Sequence, residues 1–294
     1  MSPAAPSRPG PPPDPFDRAA LARNRARAER IATRNGGGAE FLLVHATNDL
    51  AERLDGVERH FDRAVVIDPP LSLVGDRIER SERVGRVETV HVEADGRVPI
   101  APNSCDLVVS SMAIHLYSDV PGFLAQVARA LRPDGLFLAA FPGGETLREL
   151  REVWLQAEAE ITGGASPRVH PFIDVRDAGA LLQRAGLALP VADVDRLTVR
   201  YNDALALMHD LRAMGMANAM GERSRRFTPR EVLMRAAALY GERHADSDGR
   251  IRATQDIVSL SGWRPHESQQ KPLKPGSAKA SLAAALGDRS KGDV

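Results

Sequence analysis

Apolar runs rich in β-branched residues alternate with amphipathic helical segments between residues 40 and 144, and this alternation restricts the fold of the chain more than any other feature. We interpret residues 40–46, EFLLVHA, as a first strand, and residues 48–61 as the helix that follows it, with Asn48 as its N-cap. Four more strands are predicted at RAVVIDPP, VETVHVEAD, CDLVVSSMAIHL and LFLAAFPGG, and a helix at DVPGFLAQVARALRPDG. Strands and helices in this order predict a parallel α/β sheet.

The second half of the chain is predicted to be mainly helical. Helical apolar spacing is present in ETLRELREVWLQAEAEI, in VRDAGALLQRAGL and in residues 203–214. A further helix is predicted from Thr228 to Tyr240, with Thr228 as its N-cap. Two more strands are predicted at PVADVDRLTVRY and ATQDIVSLSGW.

Composition limits the classes of partner. The chain has 39 basic and 39 acidic residues, so its formal net charge of zero gives no general attraction to nucleic acid or to an acidic membrane. A single cysteine, Cys105, allows no intrachain disulfide and favours a reducing compartment. No apolar run of membrane-spanning length is present, and we expect a soluble, cytoplasmic protein without an integral membrane segment. An arginine-rich transit peptide is the alternative, against which Asp17 and Glu29 count.

Ligands of parallel α/β sheets bind outside the carboxyl ends of the strands. From the predicted strands, those ends lie at five places: Ala46–Asn48, Asp68, Glu93–Asp95, Ser110–His115 and Phe141–Glu145. Ser110 is a candidate ligand-binding residue on this ground.

Two sets of segments carry a resemblance to known families. VVIDPP, followed by CDLVVSSMAIHLYSDVPGFLAQVARALRPDGLFLAAFPGGETL, resembles the second half of a class I S-adenosylmethionine-dependent methyltransferase domain. The segments FDRAALARNRARA, GGETLRELR, GGASPRVHPFIDVRDAGALLQRAGL, LMHDLRAMGMANAM and SGWRPHESQQKPLKPGSA resemble the mitochondrial complex I assembly factor 5 family and its bacterial relatives. This resemblance covers residues 16–278.

The resemblance implies a class I methyltransferase (Rossmann-like) doubly wound sheet with helical additions after strand five. It places the methyltransferase-like domain at residues 16–263. The composition of the flanking segments predicts a disordered Pro-rich N-terminus at residues 1–15 and a basic flexible tail at 264–294. The resemblance also implies S-adenosylmethionine as cofactor and, as substrate, an arginine of a protein subunit of respiratory complex I, which the family hydroxylates. Two other functions stay open: a non-catalytic assembly protein with a degenerate cofactor loop, and a carrier-protein or small-molecule methyltransferase of the biotin-synthesis type.

The resemblance assigns the cofactor site residue by residue. Asp68 takes the place of the acid whose two carboxylate oxygens accept hydrogen bonds from both ribose hydroxyls. The acid expected at the adenine amino group falls on Ala94, so its neighbour Asp95 is the candidate there.

The glycine-rich loop is the main departure from the family pattern. Its three glycines fall on Val44, Ala46 and Asn48, and its acid falls on Leu42. Glycine allows positive φ and close approach of a ligand, which Val44 does not. Ala46 and Asn48 are the milder changes, and they stay as candidate cofactor contacts.

The candidate acid–base residues are His115, His170, His266 and Glu267, for each of which structural hydrogen bonding is the alternative. RVHPF (168–172) and WRPHESQ (263–269) combine cations, a histidine and aromatic rings, which suits the docking of a protein substrate. We predict no metal. A facial metal triad of His45, His115 and Asp68 is the rival hypothesis, although the sequence sets no distance between these residues.

Overall fold

A computed structural model describes residues 14–35, 40–68 and 71–270. Its centre is a six-stranded sheet in the order β2-β1-β3-β4-β6-β5. The strands are β1 (Phe61–Ile67), β2 (Val84–Val90), β3 (Cys105–Ser111), β4 (Leu131–Gly143), β5 (Ala188–Tyr201) and β6 (Ile251–Trp263). Strands β1 to β4 are parallel to one another, whereas β6 runs antiparallel to both β4 and β5.

Helices cover both faces of the sheet. They are α1 (Arg18–Asn35), α2 (Phe41–Asp55), α3 (Leu73–Glu79), α4 (Val120–Ala130), α5 (Arg148–Thr162), α6 (Val175–Arg184), α7 (Ala204–Ala213) and α8 (Arg230–His244), with a 3-10 turn at Ile114–Leu116. Val65 and Ile67 of β1 pack on the side of α4 and α6, and Ala64 and Val66 pack on the side of α2 and α3. Successive side chains of a strand point to opposite faces, so the uninterrupted apolar run of β1 is what a strand buried on both faces requires.

The predicted α/β class is therefore confirmed, and most of the predicted elements form. Five predicted segments coincide with most of β1, β3, β4, β5 and β6, although four of these strands begin two to five residues earlier than predicted: RAVVIDPP, CDLVVSSMAIHL, LFLAAFPGG, PVADVDRLTVRY and ATQDIVSLSGW. Helices α4, α5, α6 and α7 also lie where the apolar periodicity predicts them.

The predicted first strand, residues 40–46, is wrong. These residues belong to helix α2, and the first strand of the sheet is β1. The reason is the spacing of the apolar residues. Those that recur every four residues are all buried and form one face of an amphipathic helix: Leu42, Ala46, Leu50 and Leu54. Asn48 consequently lies inside the helix and does not cap it. The cofactor loop predicted between residues 44 and 48 is wrong for the same reason. Asp68, predicted to end the second strand, follows β1, the first strand of the sheet.

Three element boundaries also differ from the predictions. Strand β2 ends at Val90, so Glu93–Asp95 lie beyond it in a turn. Helix α5 begins only at Arg148, because Leu147 takes a left-handed conformation with φ of 55°. The N-cap of α8 is Pro229, while the Thr228 hydroxyl accepts a hydrogen bond from Arg168.

The chain ends lie largely outside the described residues. This holds for residues 1–13 of the predicted disordered N-terminus and for residues 271–294 of the predicted tail, so these domain boundaries stay predictions. Residues 264–270 follow β6 back to the start of β4, where Arg264 N–H donates to Gly135 O over 2.7 Å. The described residues contain no helix that is both long and apolar enough to cross a membrane.

Candidate active site

The strand order places a crevice between β1 and β3. From β1 the chain passes to β2 on one side, then returns to β3 on the other side of β1. At such a reversal the connections leave in opposite directions, and ligands bind in the crevice outside the carboxyl ends of the strands. A cavity of about 710 Å³ lies at this place. Its volume is within the range of small-molecule sites.

Two groups of residues enclose the cavity. We call the strand-end residues Asp68, His91, Val92 and Met112–Tyr117 the floor. We call the lining residues of three segments, 16–32, 168–172 and 208–220, the roof. Leu147, Leu150 and Trp154 form a side wall between the two.

Asp68 is the anionic group of the floor, with a side chain that is 13% exposed. Its Oδ2 accepts a hydrogen bond from the Tyr117 hydroxyl over 2.9 Å. Its Oδ1 accepts from Val92 N–H over 3.2 Å and lies 3.0 Å from His91 Nδ1. Burial, followed by the neighbouring Asp68 carboxylate, raises the pKa of Tyr117, so Tyr117 stays a hydrogen-bond donor to Asp68.

Three of the six non-glycine residues with positive φ among the described residues line this cavity. Asp68, Met112 and Leu147 all line it and have φ of 44°, 57° and 55°, the left-handed region that favours glycine. Each such residue costs on the order of 1–3 kcal/mol and persists only where its surroundings enforce it. Two of the three directly follow β1 and β3, at the ends of strands that face the crevice.

Two histidines of the cavity lining are neutral. Burial, followed by the neighbouring His170, lowers the pKa of His115 to about 3. Burial, followed by Arg151, lowers the pKa of His170 to about 4. The Nδ1 atoms of both rings are buried without a hydrogen-bond partner among the described residues. An unsatisfied buried polar atom costs about 1–3 kcal/mol, so these atoms are candidate contacts for a ligand.

Aromatic rings surround the two histidines. Phe16 of the roof stacks on His170, with ring centroids 4.8 Å apart. Phe172 contacts both imidazoles edge-on or tilted, at 5.2 Å from His170 and 6.0 Å from His115. Because Phe16 and His170 belong to the roof while His115 belongs to the floor, this cluster joins the two.

Helix α1 is attached to the rest of the protein through a small set of polar contacts. The Arg18 guanidinium donates to Leu116 O over 3.2 Å, and the Asn24 amide donates to Ala217 O over 2.7 Å. Asp17 pairs with Arg223 at 2.7 Å, and this hydrogen bond is the main reason that the pKa of Asp17 falls to about 2. Gly215, with φ of 78°, lies against the backbone of Asn24, where a larger residue in this conformation would be strained.

The predicted docking segment RVHPF forms part of the roof instead of an open surface. The Arg168 guanidinium stacks over Trp154 at 4.8 Å from the ring centroid and donates to Glu158 through Nε over 2.7 Å. Glu158 also accepts from Ser166 N–H, and its pKa is lowered because these hydrogen bonds outweigh the effect of burial. The arginine is thus engaged within the chain.

The structure brings Asp68, His115 and His170 to the cavity and leaves the other sequence-derived candidates elsewhere. Ala46 is buried between α2 and the sheet, and Asn48 is exposed on α2. Asp95 accepts a hydrogen bond from Arg97 N–H in an exposed turn. Ser110 is fully buried inside β3, and its hydroxyl has no partner among the described residues.

His266 and Glu267 lie beyond the amino ends of the parallel strands, at the end of the sheet opposite to the floor. They follow β6, whose end pairs with the start of β4, far from the carboxyl ends that form the floor. His266 Nδ1 contacts the Ser268 hydroxyl at 2.7 Å. The structure therefore does not unite them with the other two histidines.

The hypothetical metal triad does not assemble. His45 lies in α2 and contacts Asp195 of β5 at 2.8 Å, whereas His115 and Asp68 belong to the floor. Among residues 14–35, 40–68 and 71–270, no three His, Cys, Asp or Glu side chains are grouped as ligands for a metal ion.

The floor fits the cofactor that the methyltransferase resemblance implies. The cavity is large enough, and Asp68 ends the central strand β1 with a carboxylate that lines it. The loop after β1, DPPLSLV (68–74), contains no glycine, but Asp68 itself takes the left-handed conformation. Asp tolerates that conformation better than most residues.

Comparison with known proteins agrees with this architecture. Residues 49–139 match the methyltransferase domain family. The human mitochondrial arginine-hydroxylase NDUFAF5 is 42% identical over 262 residues, which cover 83% of this chain and 75% of the relative. The chain belongs to the NDUFAF5 family and its bacterial relatives.

Other relatives carry different names. The malonyl-[acyl-carrier protein] O-methyltransferase of Laribacter hongkongensis is 33% identical over 283 residues, which cover 89% of this chain and 91% of that protein. Among solved structures, the phosphoethanolamine N-methyltransferase 2 of Haemonchus contortus aligns with a TM-score of 0.42 and 13% identity, over 82% of this chain and 57% of its own.

Reasoning from the sequence missed Tyr117 and His91, the side-chain partners of Asp68. The signal for Tyr117 was present: it follows β3 within the same strand-end segment as His115. His91 gave no such signal, because its place depends on β2 ending at Val90.

Proposed function

We propose that this protein binds S-adenosylmethionine on its floor and modifies an arginine side chain of a protein substrate, as the name of its arginine-hydroxylase relatives describes. The observation that carries the proposal is the Asp68–Tyr117 pair, which places an oriented carboxylate in the cavity between β1 and β3. By the family resemblance, the substrate is a subunit of respiratory complex I.

Asp68 is the residue that would hold the ribose of the cofactor. A carboxylate has about four acceptor positions, of which Tyr117, Val92 N–H and His91 use three. The His91 side chain is 63% exposed, so it can turn into solvent and free Oδ1 for a hydroxyl. Tyr117 keeps the carboxylate oriented. Bound S-adenosylmethionine would supply an electrophilic methyl group on its sulfonium.

The chemistry between floor and roof suits a guanidinium substrate. A guanidinium has five N–H donors and no acceptor, so it needs acceptors and flat faces. Neutral His115 and His170 can each accept a hydrogen bond through an unprotonated nitrogen, and their low pKa values keep them neutral beside a cation. Phe16 and Phe172 provide aromatic faces next to them.

One specific observation favours a second candidate. The relative from Laribacter hongkongensis that is named a malonyl-[acyl-carrier protein] O-methyltransferase matches over 91% of its length. Mass spectrometry of the product distinguishes the two reactions, because hydroxylation adds one oxygen and methyl transfer adds one methylene equivalent. A non-catalytic assembly protein would leave either substrate unchanged.

Calorimetric titration of the full chain with S-adenosylmethionine tests the proposal. We expect Asp68→Ala to weaken binding by about 10-fold to 100-fold, because hydrogen bonds to a charged acceptor are each worth about 1.5–3 kcal/mol. The matched control is Asp177→Ala, which removes an exposed acid from the first turn of α6. Absence of heat with the wild-type chain, or equal weakening by both variants, would contradict the proposal.

The partner and the compartment are tested in cells. Deletion of the gene should lower the amount of assembled complex I, and an Asp68→Ala copy should fail to restore it. Full restoration by that copy would favour the non-catalytic assembly role. The cytoplasmic location expected from the N-terminal sequence stays a prediction, since the human relative is named mitochondrial.

A further inference from the structure

A second pocket, of about 340 Å³, lies beside the roof and is lined by Arg27, Arg30, Ile31, Arg34 and Arg212. The first four residues belong to α1, and Arg212 belongs to the last turn of α7. Arg212 also lines the large cavity, so the two spaces adjoin. Four arginine side chains thus line one concave surface.

This cluster of cations has no acidic partner within the part of the chain that the structure describes. The one polar side-chain contact recorded for it joins Arg27 to the Asn24 amide oxygen at 3.4 Å. Glu29 is the single acid of α1, and it lines the large cavity instead. Burial, followed by Arg212 and Arg30, lowers the pKa of Arg27, so the guanidiniums repel one another. An anion would relieve this repulsion.

The chain itself offers few acids that could fill the pocket. Residues 1–13, 36–39 and 69–70 contain no Asp or Glu. Residues 271–294 contain two acids, Asp288 and Asp293, against five basic residues. The complementary charge is therefore expected from another molecule.

The dimensions of the cluster favour an extended anion. Arg27, Arg30 and Arg34 lie at i, i+3 and i+7, which is one face of a helix. Seven residues of α-helix span about 10 Å along the axis. A single phosphate group contacts one or two guanidiniums and cannot bridge that length, whereas a segment with several carboxylates can.

Nucleic acid is the other extended polyanion, and the pocket suits it less well. Sites for single strands combine cations with aromatic rings on which bases stack. Ile31 is the one non-arginine residue of this lining, and the chain carries no net positive charge. Arginine forks also match carboxylates in pairs of parallel hydrogen bonds.

We propose that Arg27, Arg30, Arg34 and Arg212 form a docking site for an acidic, Asp/Glu-rich segment of a protein partner. The docked segment lies beside the large cavity, because Arg212 borders both spaces. Docking here does not depend on the reaction in the cavity, and S-adenosylmethionine binding is expected to be unaffected by loss of the site.

Fluorescence anisotropy with a labelled peptide of alternating glutamate and glycine tests the site on the full chain at low salt. We expect Arg30→Ala/Arg34→Ala to weaken binding by about tenfold or more, since each tenfold corresponds to about 1.4 kcal/mol and two of four charges are lost. The matched control is Arg129→Ala/Arg184→Ala, which removes two exposed arginines of α4 and α6. We expect that control to change affinity by less than about twofold. Raising the salt concentration should weaken the wild-type complex.

Four outcomes would overturn the docking site. They are absence of binding by the wild-type chain, equal loss in the control pair, equal binding of a glutamine–glycine peptide, and tighter binding of a single-stranded RNA oligonucleotide. Competition by inorganic phosphate at the concentration of the peptide would assign the pocket to a small anion instead. Circular dichroism checks that the double variant is folded, and Arg34→Ala alone, at an exposed position, is the second variant.

Discussion

The floor and the roof of the cavity differ in the protein family that their sequences match. The floor, from Asp68 to Tyr117, lies within residues 49–139, which match the methyltransferase domain family. The three roof segments lie outside that match, in parts of the chain such as LMHDLRAMGMANAM that resemble the assembly factor family. The floor, where we propose that the cofactor binds, and the roof are therefore encoded in separate regions of the chain, and each can be tested without the other.

The two regions also differ in what holds them. Asp68 and Met112 of the floor follow β1 and β3, whose side chains are mostly buried on both faces, whereas His91 follows the partly exposed edge strand β2. Helix α1 of the roof is joined to the protein by side-chain contacts such as Arg18 to Leu116 and Asp17 to Arg223. Regions with fewer buried contacts open at lower free energy than the core. We expect the roof to open before the floor unfolds.

The largest expected effect is a loss of stability in acid. Both His115 and His170 have folded pKa values far below the ordinary 6.5, at about 3 and 4. Between these values and 6.5 the unfolded chain binds more protons than the folded chain, so stability falls as pH falls through that window. Each fully shifted group contributes about 1.4 kcal/mol per pH unit, and with partly exposed His170 contributing less we expect about 2 kcal/mol between pH 6 and pH 5.

Urea unfolding of single variants separates the contributions of floor and roof. His115→Gln should remove the larger part of the pH dependence of the free energy of unfolding, and His170→Gln the smaller part. The matched control is His266→Gln, at an exposed position. A slope that is the same in all three variants would show that these two imidazoles are not neutral in the folded protein.

The next effect, on ligand affinity, is expected from Tyr117→Phe, which removes the hydroxyl that orients Asp68. A hydrogen bond to a charged group is worth about 1.5–3 kcal/mol. We therefore expect S-adenosylmethionine to bind about tenfold more weakly, or more, in calorimetric titration. The structure of the roof should be unchanged, because the Tyr117–Asp68 hydrogen bond lies within the floor.

The chain contains a matched pair for this experiment. The Tyr201 hydroxyl donates to Asp210 Oδ2 over 2.7 Å, and burial, followed by Asp210, raises the pKa of Tyr201 as it does for Tyr117. Tyr201→Phe should lower the free energy of unfolding by about as much as Tyr117→Phe does, because each variant loses one hydrogen bond to a carboxylate. Unlike Tyr117→Phe, it should leave the affinity for S-adenosylmethionine unchanged. Equal loss of affinity in both variants would place the effect in overall stability and not in the floor.

The floor was easier to predict from the sequence than the roof. Asp68 could be found because β1 is an apolar run that ends in DPP, and the chemistry of the expected cofactor asks for an acid there. The whole cofactor assignment, including the role of Asp68 as the acid after a second strand, depended on where the first strand lies, and Asp68 follows the first strand β1. Short apolar runs do not distinguish a strand from a buried helix. A longer stretch of sequence distinguishes the two, because the four-residue spacing of apolar residues from Leu42 to Leu54 covers nearly the whole of α2.

The roof could not be derived from periodicity at all. Phe16 meets His170 across more than half of the chain, and Asn24 donates to Ala217. Such contacts are set by the tertiary arrangement of segments that have no pairing pattern of their own. The sequence nevertheless indicated His170 and the RVHPF segment, because this segment combines a cation, a histidine and an aromatic ring, which suits the docking of a protein substrate.

The smallest expected effect concerns the link between roof and floor. Arg18 is exposed, and it donates to Leu116 O over 3.2 Å from the first turn of α1. Exposed contacts of this kind are worth about 0–1 kcal/mol, so Arg18→Ala should hardly change the free energy of unfolding. Loss of this contact lowers the free energy of opening the roof by the same amount, and the roof opens more easily than the whole protein unfolds. Hydrogen–deuterium exchange should therefore become faster in α1 while exchange in β1 and β3 stays as it is. Arg23→Ala, at an exposed position on the same helix, is the control. Faster exchange in β1 as well would mean that floor and roof unfold as one unit, and the distinction between them would fail.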